Sequence, residues 1–288
     1  MKICYLIIAH KNPKQLNLLI DKLLSYDKAT VYLHIGLQQY NSIKNLITKR
    51  EHLHIIEKPI KVEWGGDNIL RAQLLLLNES KKENADYYQF LTGQDFPIKN
   101  DLPQFLSNNL NQVFMDAEES PKEEKIRLKY YWPHVLSKMY NNKFNIYRII
   151  RKTRMLLLGC GFPGVLKKIN FDLDKIQLYK SMFWITLDNE TSNYILQYLE
   201  ENPDYFSVFE NALNAEEGFW ATTIMNNDKY KSKVVRKDTL IYTSEFTNNH
   251  PKTLTMKDVN MLDSSNYYFA RKFDMEVDEE VLQHYYNK

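Results

Sequence analysis

Along the first hundred residues the apolar positions fall into two alternating rhythms. Ile3 to Ala9 is a continuous apolar run of strand length, as expected of a strand covered on both faces. From Pro13 to Leu24, Leu16, Leu18, Leu19, Leu23 and Leu24 recur at helical spacing. Strands over Thr30 to Ile35 and His54 to Ile56 follow, with a helix over Ser42 to Arg50 between them. Gly65-Gly66-Asp67 then opens a helix carrying Ile69, Leu70, Leu74 and Leu77, with Asp67 placed to cap it. Tyr87 to Leu91 is a fourth strand. Strand–helix alternation of this kind predicts an α/β fold, a mostly parallel central sheet flanked by helices.

After Lys99 the rhythm loosens. Gln112 to Met115 and Phe183 to Leu187 read as strands, Glu190 to Leu199 and Glu216 to Met225 as helices. Leu240 to Tyr242 is a short strand, and Val277 to Tyr286 a closing helix. Neither a repeat nor a low-complexity linker divides the chain. One domain over residues 1–288 is expected, with a loop-rich C-terminal half.

Composition changes this picture little. Lys and Arg number 38 against 36 Asp and Glu, so no global field draws the chain to nucleic acid. Cys4 and Cys160 are too few for a disulfide scaffold and point to a reducing compartment. The first apolar run is short and lacks a cleavage site, and nothing approaches the ~18–20 apolar residues of a membrane span. A soluble, cytoplasmic chain is expected. The 20 tyrosines suit stacking on sugar rings, but an AT-biased genome accounts for them equally.

The most informative stretch is Leu91-Thr92-Gly93-Gln94-Asp95-Phe96-Pro97-Ile98-Lys99. Pro97 removes a backbone donor, so the strand should end near Asp95-Phe96 and turn outward. Asp95 then stands at the carboxyl end of a central strand, where open α/β sheets bind ligands, or it merely caps the turn. Hard divalent cations need clustered oxygens, and Asp95 has no acidic neighbour. Asp172-Leu173-Asp174 reads as solvent-facing. His52 and His54 are the one close histidine pair, and no zinc pattern exists. Neither a metal nor another cofactor is expected. Without a metal, a leaving diphosphate needs protein cations, and Phe269-Ala270-Arg271-Lys272-Phe273-Asp274 brackets two with aromatics. A surface pair at a helix start is the plainer reading. Glu216 and Glu217 precede Phe219-Trp220; the helix dipole explains acids there, and a general base beside Trp220 is the other possibility. Gly159-Cys160-Gly161-Phe162-Pro163-Gly164 has dinucleotide-loop spacing but no βαβ unit around it, so it reads as a turn. Tyr147 to Leu158 mixes basic and apolar residues, either a packed helix with a solvated basic face or a peripheral membrane contact.

Taken together, these segments resemble the core-2/I-branching N-acetylglucosaminyltransferase family, which includes peptide O-xylosyltransferases. The matching pieces are Tyr5 to His10, Val31 to Ile35, Val62 to Gly66, Leu91 to Lys99, Glu216 to Thr222, His250 to Leu254 and Phe269 to Asp274, in the family's order. The resemblance implies a GT-A-like, Rossmann-type fold. It also implies inverting transfer of a GlcNAc- or xylose-class sugar from a UDP-sugar to a glycan hydroxyl, without metal. On its motifs the catalytic base is Glu217, and Lys272 with Arg271 contacts the diphosphate. His10, His34, Trp64 and Asp95 fall at the donor; Asp116, Arg127 (or Lys125), Trp184 and Trp220 fall at the acceptor. Residues 1–110 would form the nucleotide-sugar half and 111–288 the acceptor and catalytic half.

Two departures bear on the donor. Gly36 stands where the family commonly has Asp, and Asp238 to Tyr242 lacks the family's second diphosphate arginine, leaving Arg236, Lys237 or Arg271 to compensate. Lys180 also replaces the glycine of the Gly-Ser-x-aromatic run near Trp184. Animal members carry an N-terminal anchor that this chain lacks, so a bacterial-type enzyme of surface-polysaccharide synthesis is expected, with a lipid-linked glycan as acceptor at the inner face of the membrane. The alternative is a non-catalytic nucleotide- or sugar-binding subunit of an assembly complex.

Overall fold

The computed structural model describes residues 1–63, 65–120, 122–133, 146–236, 239–247 and 250–288. The first hundred residues form β1 (Ile3–Ala9), α1 (Pro13–Leu24), β2 (Ala29–Ile35), α2 (Tyr40–Lys44), β3 (Leu53–Ile55), α3 (Asn68–Ser80), β4 (Tyr87–Thr92) and β5 (Phe96–Pro97). There follow α4 (Leu102–Asn108), β6 (Val113–Met115), β7 (Glu118–Glu119), α5 (Lys122–Lys129), α6 (Ile146–Gly159), β8 (Tyr179–Lys180), β9 (Thr186–Asp188) and α7 (Asn189–Glu201). The chain ends with α8 (Ala215–Met225), α9 (Asp228–Lys231), β10 (Val234–Arg236), β11 (Ile241–Thr243), β12 (Phe246–Thr247), β13 (His250–Pro251), α10 (Val259–Ser264), β14 (Phe269–Arg271) and α11 (Glu279–Asn287).

Seven strands make the central sheet in the order β10-β6-β9-β4-β1-β2-β3. β9 runs antiparallel to β4 and β6, and the other pairs are parallel. β6, β9 and β10 come from beyond residue 110, so the chain's two halves share one sheet. Every residue of β1 is buried, which is why it reads as a run rather than an alternation. Its pleat still divides the core: Ile3, Tyr5, Ile7 and Ala9 face one layer with α1, α10 and α11. Cys4, Leu6 and Ile8 face the other, with α3, α7 and α8.

Four expectations need correction in detail. The helix placed over Ser42 to Arg50 covers only Tyr40–Lys44, because Asn17 of α1 captures the chain beyond it. Asn17 Nδ2 donates to the Leu46 carbonyl at 2.8 Å, and its Oδ1 accepts the Thr48 amide at 3.0 Å. Asp67 precedes α3 but makes no side-chain cap; its carboxylate takes Arg71 and the Asn211 amide instead. The strand expected from Phe183 begins at Thr186, since Phe183 and Trp184 turn toward the site described below. Beyond Gly93 the chain does leave the main sheet, yet it enters a second, three-stranded one. There Phe96 and Pro97 pair antiparallel with Ala270 and Phe269 of β14. The Gly159–Gly164 segment is a helix stop: Gly161 has φ +87°, and the Phe162 amide reaches back to the Leu157 carbonyl at 3.0 Å.

Candidate active site

Strand order reverses about β1, with β2 and β3 to one side and β4 to the other, and a crevice opens beyond the carboxyl ends at such a switch. A cleft of ≈ 160 Å³ lies there. His10 and Lys11 follow β1 into it; Gly36, Gln38 and Gln39 follow β2; Thr92, Gly93 and Gln94 end β4. Gly93 is required for close approach: a Cβ there would stand 3.1 Å from the Ala9 Cβ.

The cleft's floor is charged yet buried. Asp95, wholly buried, accepts the Thr92 amide at 2.6 Å and the Trp184 indole Nε1–H at 2.8 Å. Its other oxygen lies 3.5 Å from Arg271 Nε, and the guanidinium stacks 4.0 Å over the Trp184 ring. Burial pushes the Asp95 carboxyl up, and Arg271, the Thr92 amide and Trp184 draw it back down. Arg271, not Asp95, reaches the cleft lining. The second sheet makes this pairing, because β5 carries the chain on from Asp95 directly alongside β14.

Neighbouring groups hold the basic segment in place. Gln15 Nε2 donates to the Gly93 carbonyl at 3.0 Å, while its Oε1 accepts the Met275 amide at 2.9 Å. The Phe273 amide donates to the Gln94 carbonyl at 2.9 Å, and Lys11 pairs with Asp274 at 2.6 Å. Lys272 is half-buried. Burial and the like charges of Lys11 and Arg271 lower its pKa, with Asp274 opposing. His10 is likewise lowered, by burial and then by Lys11 and Lys272, so it stays neutral near pH 7. Lys11 and Arg271 thus reach the cleft, each backed by a carboxylate, while Lys272 lies next to them outside its lining.

Glu217, at the start of α8, is not among the residues that line the cleft. α8 is buried on every side, Glu216 included, and Glu217 is the one residue in it that is not buried. Its Oε1 accepts from Asn214 Nδ2 at 3.1 Å, and its Oε2 lies 3.4 Å from Arg127 and 3.7 Å from Lys180. One short segment joins Glu217 to the cleft. Lys180 meets the Glu217 carboxylate, and the Ser181 amide donates to the Glu217 carbonyl at 2.6 Å. Phe183 lines the cleft, and Trp184 holds Asp95 and Arg271. Two residues of extended chain span at most ~7 Å, so Ser181, bonded to the Glu217 carbonyl, lies within that distance of Phe183 in the cleft wall.

Several expected contacts sit elsewhere. His34 is fully buried, and its Nε2 accepts the Ile60 amide at 3.0 Å; burial lowers its pKa to about 4. Its ring supports the loop before α3 rather than facing the cleft. Trp184 forms the floor behind Arg271. Trp220, wholly buried, donates its Nε1–H to Gln73 at 2.8 Å and packs on Phe90 and Phe219. Asp116 is half-buried just past β6. Trp64, Lys237 and Asp238 lie outside the described residues, as does the side chain of Arg236. Among the described residues no three His, Cys, Asp or Glu side chains gather to hold a metal ion. Gln38, Gln39, Gln94 and Phe183 were not singled out from sequence; the first three follow strand ends, and that position was the available signal.

These features define an α/β protein with a crevice at a strand switch, lined by Arg271. The chain belongs to the Core-2/I-Branching enzyme family, whose model matches residues 3–266. It is 24% identical over 265 residues to the Beta-glucuronosyltransferase GlcAT14A of Arabidopsis thaliana, covering 85% of this chain and 54% of that protein. A Xylosyltransferase of Ciona intestinalis is 24% identical over 135 residues, 44% of this chain and 16% of that one. The chain thus spans about half the length of the first relative and a smaller share of the second. Among solved structures, the apo form of mouse Xyloside xylosyltransferase 1 aligns over 93% of this chain and 96% of its own, at 10% identity and a TM-score of 0.36.

Proposed function

We propose that this protein is an inverting glycosyltransferase that moves a sugar of the GlcNAc or xylose class from a UDP-sugar to a hydroxyl of a glycan acceptor, without a metal. Glu217 accepts the hydroxyl proton as the acceptor oxygen bonds to the anomeric carbon. The bond from that carbon to the β-phosphate oxygen breaks, and UDP leaves with the electron pair. Arg271 and Lys272 offset the charge that develops on the leaving oxygen, taking the part a divalent cation plays elsewhere. Gln38, Gln39 and Gln94 offer amide donors and acceptors to the nucleotide, where Gly36 leaves no carboxylate.

The carrying observation is Glu217. A lone carboxylate set out from an otherwise buried helix, tied by residues 180–184 to a cleft with a buried arginine, serves chemistry better than packing. That weighs against the second reading, a subunit that only binds nucleotide or sugar, because a binder needs no base. Family membership supports the transferase reading, as the matched relatives are transferases by name. We place the reaction in the cytoplasm, in surface-polysaccharide synthesis on a lipid-linked glycan.

Thermal-shift titration against UDP-, GDP- and CMP-sugars with EDTA present tests donor and metal together. UDP-sugars should stabilise the protein and the others should not; stabilisation that needs Mn²⁺ would remove the metal-free mechanism. Slow hydrolysis of the bound UDP-sugar separates the enzyme from the binder.

A further inference from the structure

α6 is amphipathic, but it is packed the wrong way round for a helix of a globular core. α1, α7 and α11 turn their apolar stripes inward, burying Leu16, Leu19 and Leu23, then Ile195 and Leu196, then Val281 and Leu282. In α6 the residues buried are Arg151 and Leu158. Ile146, Ile149, Ile150, Leu156 and Leu157 form one stripe at helical spacing, and they are 65%, 67%, 42%, 67% and 41% exposed. The chain beyond the helix continues the surface with Phe162, Val165 and Leu166, at 57%, 66% and 60%. Scattered exposed apolar residues need no explanation; a contiguous stripe of this kind marks an interaction surface.

Charge identifies the partner. From Ile146 to Phe171 there is no Asp or Glu, while Arg148, Arg151, Lys152, Arg154, Lys167 and Lys168 are present. The whole chain is nearly balanced, so the rest of it carries more acids than cations. Arg151 is buried and Lys167 turns in to the Val208 carbonyl, but Lys152 and Lys168 are exposed, and Arg148 and Arg154 are partly so. Exposed Lys122, Lys125 and Lys129 lie on the adjoining α5, which also carries Glu123 and Glu124. An apolar helix face flanked by cations is what inserts among the headgroups of an anionic bilayer.

We infer that the solvent-facing stripe of α6, with Phe162 and Leu166, docks this protein on an anionic lipid surface. The inward side of the helix gives the docking a consequence. Leu158 packs with Ile126 and Trp132, and with Leu213, next to the Asn214 that holds Glu217. The lipid surface therefore lies on the Glu217 side of the molecule, where an acceptor anchored in it would arrive. Docking itself does not rest on the proposed reaction.

Co-sedimentation of the full chain with vesicles tests this, using pure phosphatidylcholine and phosphatidylcholine with phosphatidylglycerol. Partitioning to the mixed vesicles should exceed that to neutral ones at least tenfold. Each cation removed, as in Lys152→Gln or Lys168→Gln, should cost about fivefold, and high salt should release the protein. The Ile149→Ser/Leu156→Ser double variant should lose at least tenfold while keeping its thermal midpoint and its response to UDP. Equal binding to neutral vesicles, or none to either kind, overturns the proposal. So does a dimer, seen by light scattering without lipid, that the double variant dissociates, since a second copy of the chain would then cover the stripe.

Discussion

Arg271 lines the cleft and Glu217 stands at the start of α8, and water reaches the two differently. The Arg271 side chain is 5% exposed, paired at 3.5 Å with a wholly buried Asp95 and stacked on Trp184. The Glu217 side chain is 26% exposed; it accepts from Asn214 at 3.1 Å and Arg127 at 3.4 Å, with Lys180 at 3.7 Å. A charge held dry is preorganised: it acts at low dielectric and needs no rearrangement as charge develops nearby. A carboxylate that water reaches can exchange its partners for an acceptor hydroxyl at a smaller desolvation cost. The contrast suits a fixed electrostatic sink on one side and a base that meets a changing partner on the other.

The sharpest break in that contrast is Asp95→Ala, which strands the buried Arg271 charge. It should cost about 3–5 kcal/mol of folding stability, measured by denaturant unfolding. A loss below about 1 kcal/mol would mean that Asp95 does not hold the floor. Glu217→Gln comes next. It should cut turnover at least about a hundredfold, with UDP binding and thermal midpoint nearly unchanged, because the amide keeps the side chain's size and an oxygen for Asn214. An active Gln variant would return Glu217 to the role of a helix-dipole acid.

His34 sharpens the comparison through pH. Its Nε2 accepts a hydrogen bond only when unprotonated, and burial holds its folded pKa to about 4 against an ordinary 6.5. Below 6.5 the unfolded chain binds the proton and the folded chain does not, so this contribution to stability is complete above that pH. It is lost as pH falls toward about 4. Between about pH 7 and pH 5 the loss should be about 2 kcal/mol, and absent in His34→Gln, as urea titrations at the two pH values would show. Equal slopes for the two proteins would place His34 in a looser setting. The smallest effect belongs to Lys272→Ala, which should weaken UDP binding about tenfold by calorimetry and leave stability almost unchanged. Unchanged affinity would assign the diphosphate to Arg271 and Lys11.

Much of this was legible along the chain because its causes are local. Burial on both faces makes β1 and β4 read as apolar runs, and helix periodicity places α1, α7 and α8 within a few residues. Glu216 and Glu217 stand out as acids at a helix start before an apolar run, but only the family resemblance chose between them. The roles of Asp95, Trp184, Trp220 and His34 were not, since each depends on a partner remote in sequence: Arg271 for the first two, Gln73 for Trp220, Ile60 for His34. An indole or imidazole pattern reads the same in a sugar pocket as in a core. Phe183 escaped notice because its neighbours predict a strand, and only the turn toward the cleft frees it.

Local periodicity and strand-end chemistry were enough to establish an α/β fold, the end of β4 just before Asp95, and two acids opening α8. Which charges are dry and which are wet was decided by packing in three dimensions. β5 crosses into a second sheet beside β14, and residues 180–184 run from Glu217 to Trp184. Desolvation depends on everything within a few ångströms of a group, and most of that comes from elsewhere in the chain.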